Sequence, residues 1–110
     1  MNSELLVKKL KKRKETIAVA ESLTGGGLGE AITSIKGASD VFIGGVIAYS
    51  DEIKVKELGV SKSTLKKETA VSEEVAIEMA TGIRKKYNST YGISTTGVAG
   101  PGKALSLIHI

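Results

Sequence analysis

The 110-residue chain contains no cysteine and no tryptophan, one proline, one phenylalanine and one histidine. Each scarcity closes a class of chemistry. Without cysteine there are no disulfides, thiolate metal sites or cysteine nucleophiles. The one histidine, His109, stands next to last, and no cluster of His, Asp and Glu has metal-ligand spacing, so neither a bound metal nor another cofactor is expected. With four aromatic residues in all, Phe42, Tyr49, Tyr87 and Tyr91, the core must be built from aliphatic and small side chains. No signal peptide is evident and no apolar run is long enough to span a membrane, so a soluble cytoplasmic protein with no membrane contact is the default expectation. A 41% hydrophobic content supports one small core.

The net charge is +4, and much of it lies in Lys8, Lys9, Lys11, Lys12, Arg13 and Lys14. Such a run reads as a nucleic-acid or membrane contact, or as the solvated face and last turn of a helix, where cations suit the macrodipole. No aromatics are interleaved with it. Phosphate attraction alone gives weak, salt-sensitive binding, so the helix reading is preferred and no nucleic-acid partner is expected.

Apolar periodicity alternates between two types. Ser3 is placed to cap a first helix, with Leu5, Leu6 and Leu10 toward the core. Thr16–Ala20 is a short bounded apolar run, hence a buried strand. Residues 24–36 suggest a helix carrying Leu28, Ala31, Ile32 and Ile35 on one face, stopped by Gly37. Val41–Tyr49 is the next strand, bent or closely approached at Gly44-Gly45. Ser50 caps a short helix ending before Gly59, and the polar stretch 62–68 is ambiguous. Ser72 caps a clear helix with Val75, Met79 and Ile83 along one face. Tyr91–Thr95 suggests a third strand, followed by a glycine-rich stretch to Gly102. Alternating strands and helices predict an α/β domain with parallel strands. Ser22, Tyr49 and Thr96, which follow the three strand ends, then share one sheet edge, where open α/β sheets bind ligands.

The most informative stretch is Ala18-Val-Ala-Glu-Ser-Leu-Thr-Gly-Gly-Gly27. It runs from a strand into small residues that open a helix, and sets the Ser22 hydroxyl among bare backbone N–H groups. Such a junction binds anions or activates a nucleophile. From position alone Ser22 is equally a helix cap, Lys54 a surface lysine, Tyr49 a strand-end core residue and Gly97–Gly102 an ordinary turn. The glycines lack G-x-G-x-x-G spacing and no Walker A lysine follows. Ser63-Thr-Leu-Lys66 matches an S-x-x-K pattern, but in a lysine-rich polar stretch chance accounts for it.

Four segments taken together carry a resemblance: Ala20-Glu-Ser-Leu-Thr-Gly-Gly26, Gly44-Gly-Val-Ile-Ala-Tyr-Ser50 with Lys54, Ala70-Val-Ser-Glu-Glu74, and Thr96-Gly-Val-Ala-Gly-Pro101. In this order and spacing they resemble the CinA C-terminal domain family, the pyridine nucleotide amidases also called nicotinamide mononucleotide deamidases. Leu23 stands where the family usually has cysteine. The resemblance implies a three-layer α/β/α domain and hydrolysis of the carboxamide of nicotinamide mononucleotide to nicotinic acid mononucleotide and ammonia. It implies Ser22 as nucleophile, Lys54 as its base and Tyr49 as an assisting group. Glu21, Thr24, Gly25, Gly26, Gly45, Thr96 and Gly97 are the candidate substrate-binding positions. The chemistry is compatible: a serine needs a base to attack an amide, burial lowers a lysine toward that task, and backbone N–H groups near Thr24 and Gly25 suit an oxyanion. Two other readings compete: a nucleotide-binding module without catalysis, and an interaction protein linked to competence or DNA damage.

The resemblance covers residues 1–101. Gly102-Lys-Ala-Leu-Ser-Leu-Ile-His-Ile110 does not resemble the family and reads as a translated cloning or adapter sequence. The expectation is a domain incomplete at its C-terminal end, with three strands and an uncovered sheet edge. An uncovered edge predicts homo-oligomerisation or marginal stability, and weak amidase activity.

Overall fold

The structure, a computed structural model, describes residues 2–98 and, as backbone, residues 105–109. Asn2, rather than Ser3, caps the first helix, α1 (Ser3–Arg13): its Oδ1 accepts from the Leu5 N–H at 3.0 Å. A short polar side chain one residue earlier does the same work, which single-sequence reading separates poorly. The next elements are β1 (Ile17–Glu21), α2 (Gly27–Thr33), a 3-10 turn at Ala38–Asp40, and β2 (Phe42–Ile47). Three helices then follow, α3 (Asp51–Leu58), α4 (Lys62–Glu68) and α5 (Glu73–Tyr87), and two strands, β3 (Tyr91–Val98) and β4 (Leu105–His109). Ser50, Ser61 and Ser72 cap α3, α4 and α5 through their side-chain oxygens, so the ambiguous polar stretch is a helix.

The sheet order is β2-β1-β3-β4. β1 pairs in parallel with both β2 and β3, as the alternation of elements predicts, and β3 pairs antiparallel with β4. The fourth strand corrects the expectation of three. Its place has a simple cause: β3 offers a row of unpaired N–H and C=O groups on that side, and an extended segment supplies the partners.

β1 is central, and all five of its residues are buried. Ile17 and Val19 join a cluster with Val7, Leu10, Ile32, Val41 and Ile93 on the α1/α2 face. Ala18 and Ala20 join Leu58, Val60, Val75, Met79 and Ile83 on the α3/α5 face. A strand covered on both faces is apolar throughout rather than alternating. The result is an α/β/α sandwich. β2 bulges at Ile43, where Ile17 and Ala18 face Phe42 and Gly44. Beyond the bulge a Cβ on Gly45 would lie 2.3 Å from the Val19 carbonyl oxygen, so only glycine fits that approach.

Helix α2 is shorter than the 24–36 expected. Gly25 (φ 57°) and Gly26 (φ 114°) lie in the left-handed region and form a turn before the helix starts. The predicted apolar face survives: Ile32 is buried, with Leu28 and Ile35 packed against the same cluster. Among the described residues no helix is long and apolar enough to cross a membrane.

Candidate active site

Because β1, β2 and β3 run parallel, their C-terminal ends open onto one edge of the sheet. A cleft of about 290 Å³ lies there, lined by Ser22, Leu23, Tyr49, Asp51, Lys54, Ala70, Val71 and Gly97. Three segments distant in sequence thus bring Ser22, Tyr49, Lys54 and Gly97 together. Asp51, Ala70 and Val71 are additions to the sequence reading. Asp51 was legible as the residue after the Ser50 cap, three before Lys54, an i,i+3 spacing that puts both on one helix face.

Ser22 follows β1 directly. Its N–H donates to the Thr95 carbonyl at 3.0 Å, which fixes the backbone against β3. Among the described residues no hydrogen bond engages its hydroxyl, which borders the cleft. Lys54 is the least expected side chain of the molecule. It is 1% exposed, and its Nζ donates to the Tyr49 carbonyl at 3.2 Å, with Asp51 Oδ1 at 3.8 Å. Burial pulls this amine below the ordinary lysine value, and the Asp51 carboxylate opposes that shift. The reading of Lys54 as a surface lysine and of Tyr49 as a core residue both give way. The lysine is sealed, and the tyrosine is 69% exposed.

The remaining candidates do not line the cleft. Glu21 is buried, and its carboxylate accepts from the Thr24 hydroxyl and from the N–H groups of Gly26 (3.1 Å), Leu28 (2.9 Å) and Gly29 (2.9 Å). Burial acts to raise its pKa. The Thr24, Gly29, Leu28 and Gly26 hydrogen bonds act the other way and together hold it below the usual carboxylate value. This corrects the picture of bare N–H groups: the start of α2 already has its anion. Gly25 donates to the Ser22 carbonyl at 3.3 Å within the turn, whereas the N–H groups of Leu23 and Thr24 find no partner among the described residues. The Thr96 hydroxyl is buried and donates to the Ala70 carbonyl at 2.6 Å, tying β3 to the segment before α5. Gly45 serves the β1–β2 contact, in mid-strand. Positions 99–104 of the glycine-rich stretch and tail lie outside the described residues. Among the described residues no group of three or more His, Asp and Glu could hold a metal ion.

The sequence profile of the CinA C-terminal domain matches residues 2–106. The chain belongs to the CinA C-terminal domain family. A CinA-like protein of Synechococcus sp. (strain RCC307) is 48% identical over 97% of the chain, and one of Thermosynechococcus vestitus is 52% identical over 92%. The chain spans about a quarter of the length of these relatives, 27% and 26%. Among solved structures, a CinA superfamily protein of Escherichia coli superposes with a TM-score of 0.88 at 33% identity. That match covers 93% of this chain and 59% of the other. A CinA superfamily protein of Enterobacter cloacae gives a TM-score of 0.88 at 35% identity, covering 93% and 60%. The CinA fold is therefore the frame in which Ser22 and Lys54 line one cleft.

Proposed function

We propose that the cleft is the active site of an amidohydrolase that converts nicotinamide mononucleotide to nicotinic acid mononucleotide and ammonia. The observation that carries this reading is a buried amine, Lys54, lining the same cleft as Ser22, whose hydroxyl has no hydrogen bond among the described residues. A lysine sealed from water with one carbonyl and one distant carboxylate is costly to keep charged, and a neutral amine is a base.

In the proposed cycle Ser22 Oγ attacks the carboxamide carbon while its proton passes to Lys54 Nζ. The oxyanion that forms is met by the N–H groups of Leu23 and Thr24, donors with no partner among the described residues. Collapse breaks the carbon–nitrogen bond, and the Lys54 proton leaves on the amine as ammonia. Water then attacks the Ser22 ester, giving its proton to Lys54. The second collapse returns that proton to Ser22 and releases the carboxylic acid, which gives its remaining proton to solvent. The Tyr49 carbonyl holds the amine in place throughout. No metal or other cofactor enters the scheme.

The test is ammonia release from nicotinamide mononucleotide by the chain and by Ser22→Ala. Turnover lost in the variant is the expected result. Equal rates would remove Ser22 from its role, and absence of turnover in both proteins would remove the reading for this chain.

A further inference from the structure

The tripeptide Ser22-Leu23-Thr24 carries the candidate nucleophile and both open N–H donors, and one residue, Thr95, pins it at its two ends. At the front, the Ser22 N–H lies 3.0 Å from the Thr95 carbonyl oxygen and 3.4 Å from the Thr95 hydroxyl. At the rear, the Thr24 hydroxyl lies 2.8 Å from that same Thr95 hydroxyl and donates to the Glu21 carboxylate. Thr95 stands opposite Glu21 in the β1–β3 register and is 2% exposed.

Donor counting fixes the direction of this series. An ionised carboxylate only accepts, and Glu21 is held below the usual carboxylate value, so the one hydrogen of the Thr24 hydroxyl goes to Glu21. The Thr24 oxygen can then only accept from Thr95. With its own hydrogen so committed, the Thr95 oxygen accepts from the Ser22 N–H. The series runs from the Ser22 N–H through Thr95 and Thr24 to Glu21, each hydroxyl turned one way by the anion at its end. Bonds arranged head to tail polarise and strengthen one another. The turn has little local means of holding itself, because Gly25, Gly26 and Gly27 follow at once. Nor does the place of Thr95 in the sheet call for a hydroxyl, since valine suits a buried strand equally well.

We propose that Thr95 and Thr24 are positioning residues: their hydroxyls, ordered by the Glu21 carboxylate, hold the Leu23 and Thr24 N–H groups in the orientation that receives an oxyanion. The inference rests on the amidohydrolase reading above and names what keeps its anion-stabilising turn in place. Donors aimed in advance need no reorganisation as negative charge develops. A turn released from its pins loses that advantage, yet still admits the flat, uncharged ground state. Removing the hydroxyls should therefore weaken the binding of a tetrahedral anion and spare that of a planar amide.

The experiment compares two probes on the full chain, pyridine-3-boronic acid and nicotinamide. The boron accepts the Ser22 oxygen: a boron–oxygen bond forms, the Ser22 proton passes to Lys54, and a tetrahedral anion results. Nicotinamide stays planar and neutral. Boron NMR and equilibrium titration read the adduct, and urea midpoints on the same preparations read the fold. Thr95→Val and Thr24→Val should each weaken the boronate by about tenfold and leave nicotinamide unchanged. Thr95→Ser and Thr24→Ser should restore the boronate, and Ser22→Ala should form no adduct. The double valine variant should lose about tenfold in all, because the two hydroxyls act as one series. Thr24 is exposed, so Thr24→Val carries the test should Thr95→Val fail to fold. Equal weakening of both probes would mark a merely structural role and overturn the proposal. So would losses that multiply in the double variant, an adduct retained in Ser22→Ala, or no adduct on the wild type. A wild-type adduct whose affinity survives both valine changes would remove this inference alone. An adduct weakened as expected, without turnover of nicotinamide mononucleotide, would remove the hydrolytic reading and leave the positioning role standing.

Discussion

Two charged side chains lie near the C-terminal ends of neighbouring strands, both almost sealed from water, and the fold treats them in opposite ways. Glu21, at the end of β1, is 2% exposed and receives four hydrogen bonds, three of them from the N–H groups that open α2. Lys54, in α3 just beyond β2, is 1% exposed and has one carbonyl at 3.2 Å and one carboxylate at 3.8 Å. The carboxylate also sits at the positive end of a helix, which favours its charge. The amine lies one turn into α3, at that helix's positive end, which does not. Burial alone therefore says little about role. A buried charge with every lone pair answered is a structural part, and one left short of partners is a candidate for chemistry.

The largest expected effect tests the under-provided charge. Lys54→Met should lower ammonia release from nicotinamide mononucleotide by about a thousandfold, the scale of a lost general base. The variant should stay folded, with a stability equal to the wild type or higher by about 1 kcal/mol, because an apolar side chain of similar length replaces a buried amine. Measuring turnover and urea denaturation on one preparation checks both halves. A variant that keeps its activity, or that loses its fold, would erase the contrast with Glu21.

Next comes the well-provided charge. Glu21→Ala should destabilise the chain by about 3 kcal/mol, since it orphans the N–H groups of Gly26, Leu28 and Gly29 at once. Glu21→Gln should cost about half as much, because an amide oxygen replaces part of the acceptor set. Urea midpoints report the order, and a neutral Glu21→Ala would mean that water serves the start of α2 as well as the carboxylate does.

The pH dependence sharpens the same comparison, and both groups have folded-state values below their unfolded ones. For Glu21 the stabilisation is present above the ordinary carboxylate value, about 4.3, and is lost as pH falls through the lower folded value. For Lys54 the folded state releases its proton first, so the unfolded chain binds more protons between the folded value and about 10.4. Stability relative to Lys54→Met should accordingly rise with pH across that alkaline window and reach its full value above it. Melting temperatures of the pair across the range give the slope, and a falling difference would contradict the direction of the shift.

The smallest effect concerns the segment lining the other side of the cleft. Thr69 ends α4 with φ 68° and ψ 164°, a backbone region that is essentially glycine's own. Thr69→Gly should raise stability by about 1 kcal/mol, relief of strain exceeding the added chain entropy. An unchanged or lower melting temperature would show that the Thr69 hydroxyl, which accepts from the Val71 N–H at 3.4 Å, contributes more than the strain costs.

Much of this architecture was legible locally. Ser50 and Ser72 announced α3 and α5 because a hydroxyl before a helix answers an orphan N–H within three residues. Val75, Met79 and Ile83 marked the buried face of α5 by their spacing, and all three are buried. The apolar run of β1 announced a strand covered on both sides. The grouping of Ser22 and Tyr49 at one edge followed from parallel strand order. The strand β4 was not legible, because a short apolar tail becomes a strand only where a neighbour has an open ladder. The exposure of Tyr49 was hidden because the chain turns there into α3, leaving the ring outside. The shortening of α2 was hidden because Gly25 and Gly26 are compatible with either a helix start or a turn until Glu21 supplies the cap from within the preceding strand.

Local patterning, then, was sufficient for the order of most elements through β3 and for the parallel core, since these follow from periodicity, capping and spacing along the chain, while the pairing of Ser22 with Lys54 in one motif set came from the family resemblance. Which of two neighbouring buried charges is satisfied and which is left short depended on what the sheet edge brings next to each. Partners for Glu21 come from the turn after it and the first residues of α2, whereas Lys54 lines a cleft that the ends of three separated strands enclose. Hydrogen bonding and desolvation act through space, and the linear chain carries no record of which groups will be near.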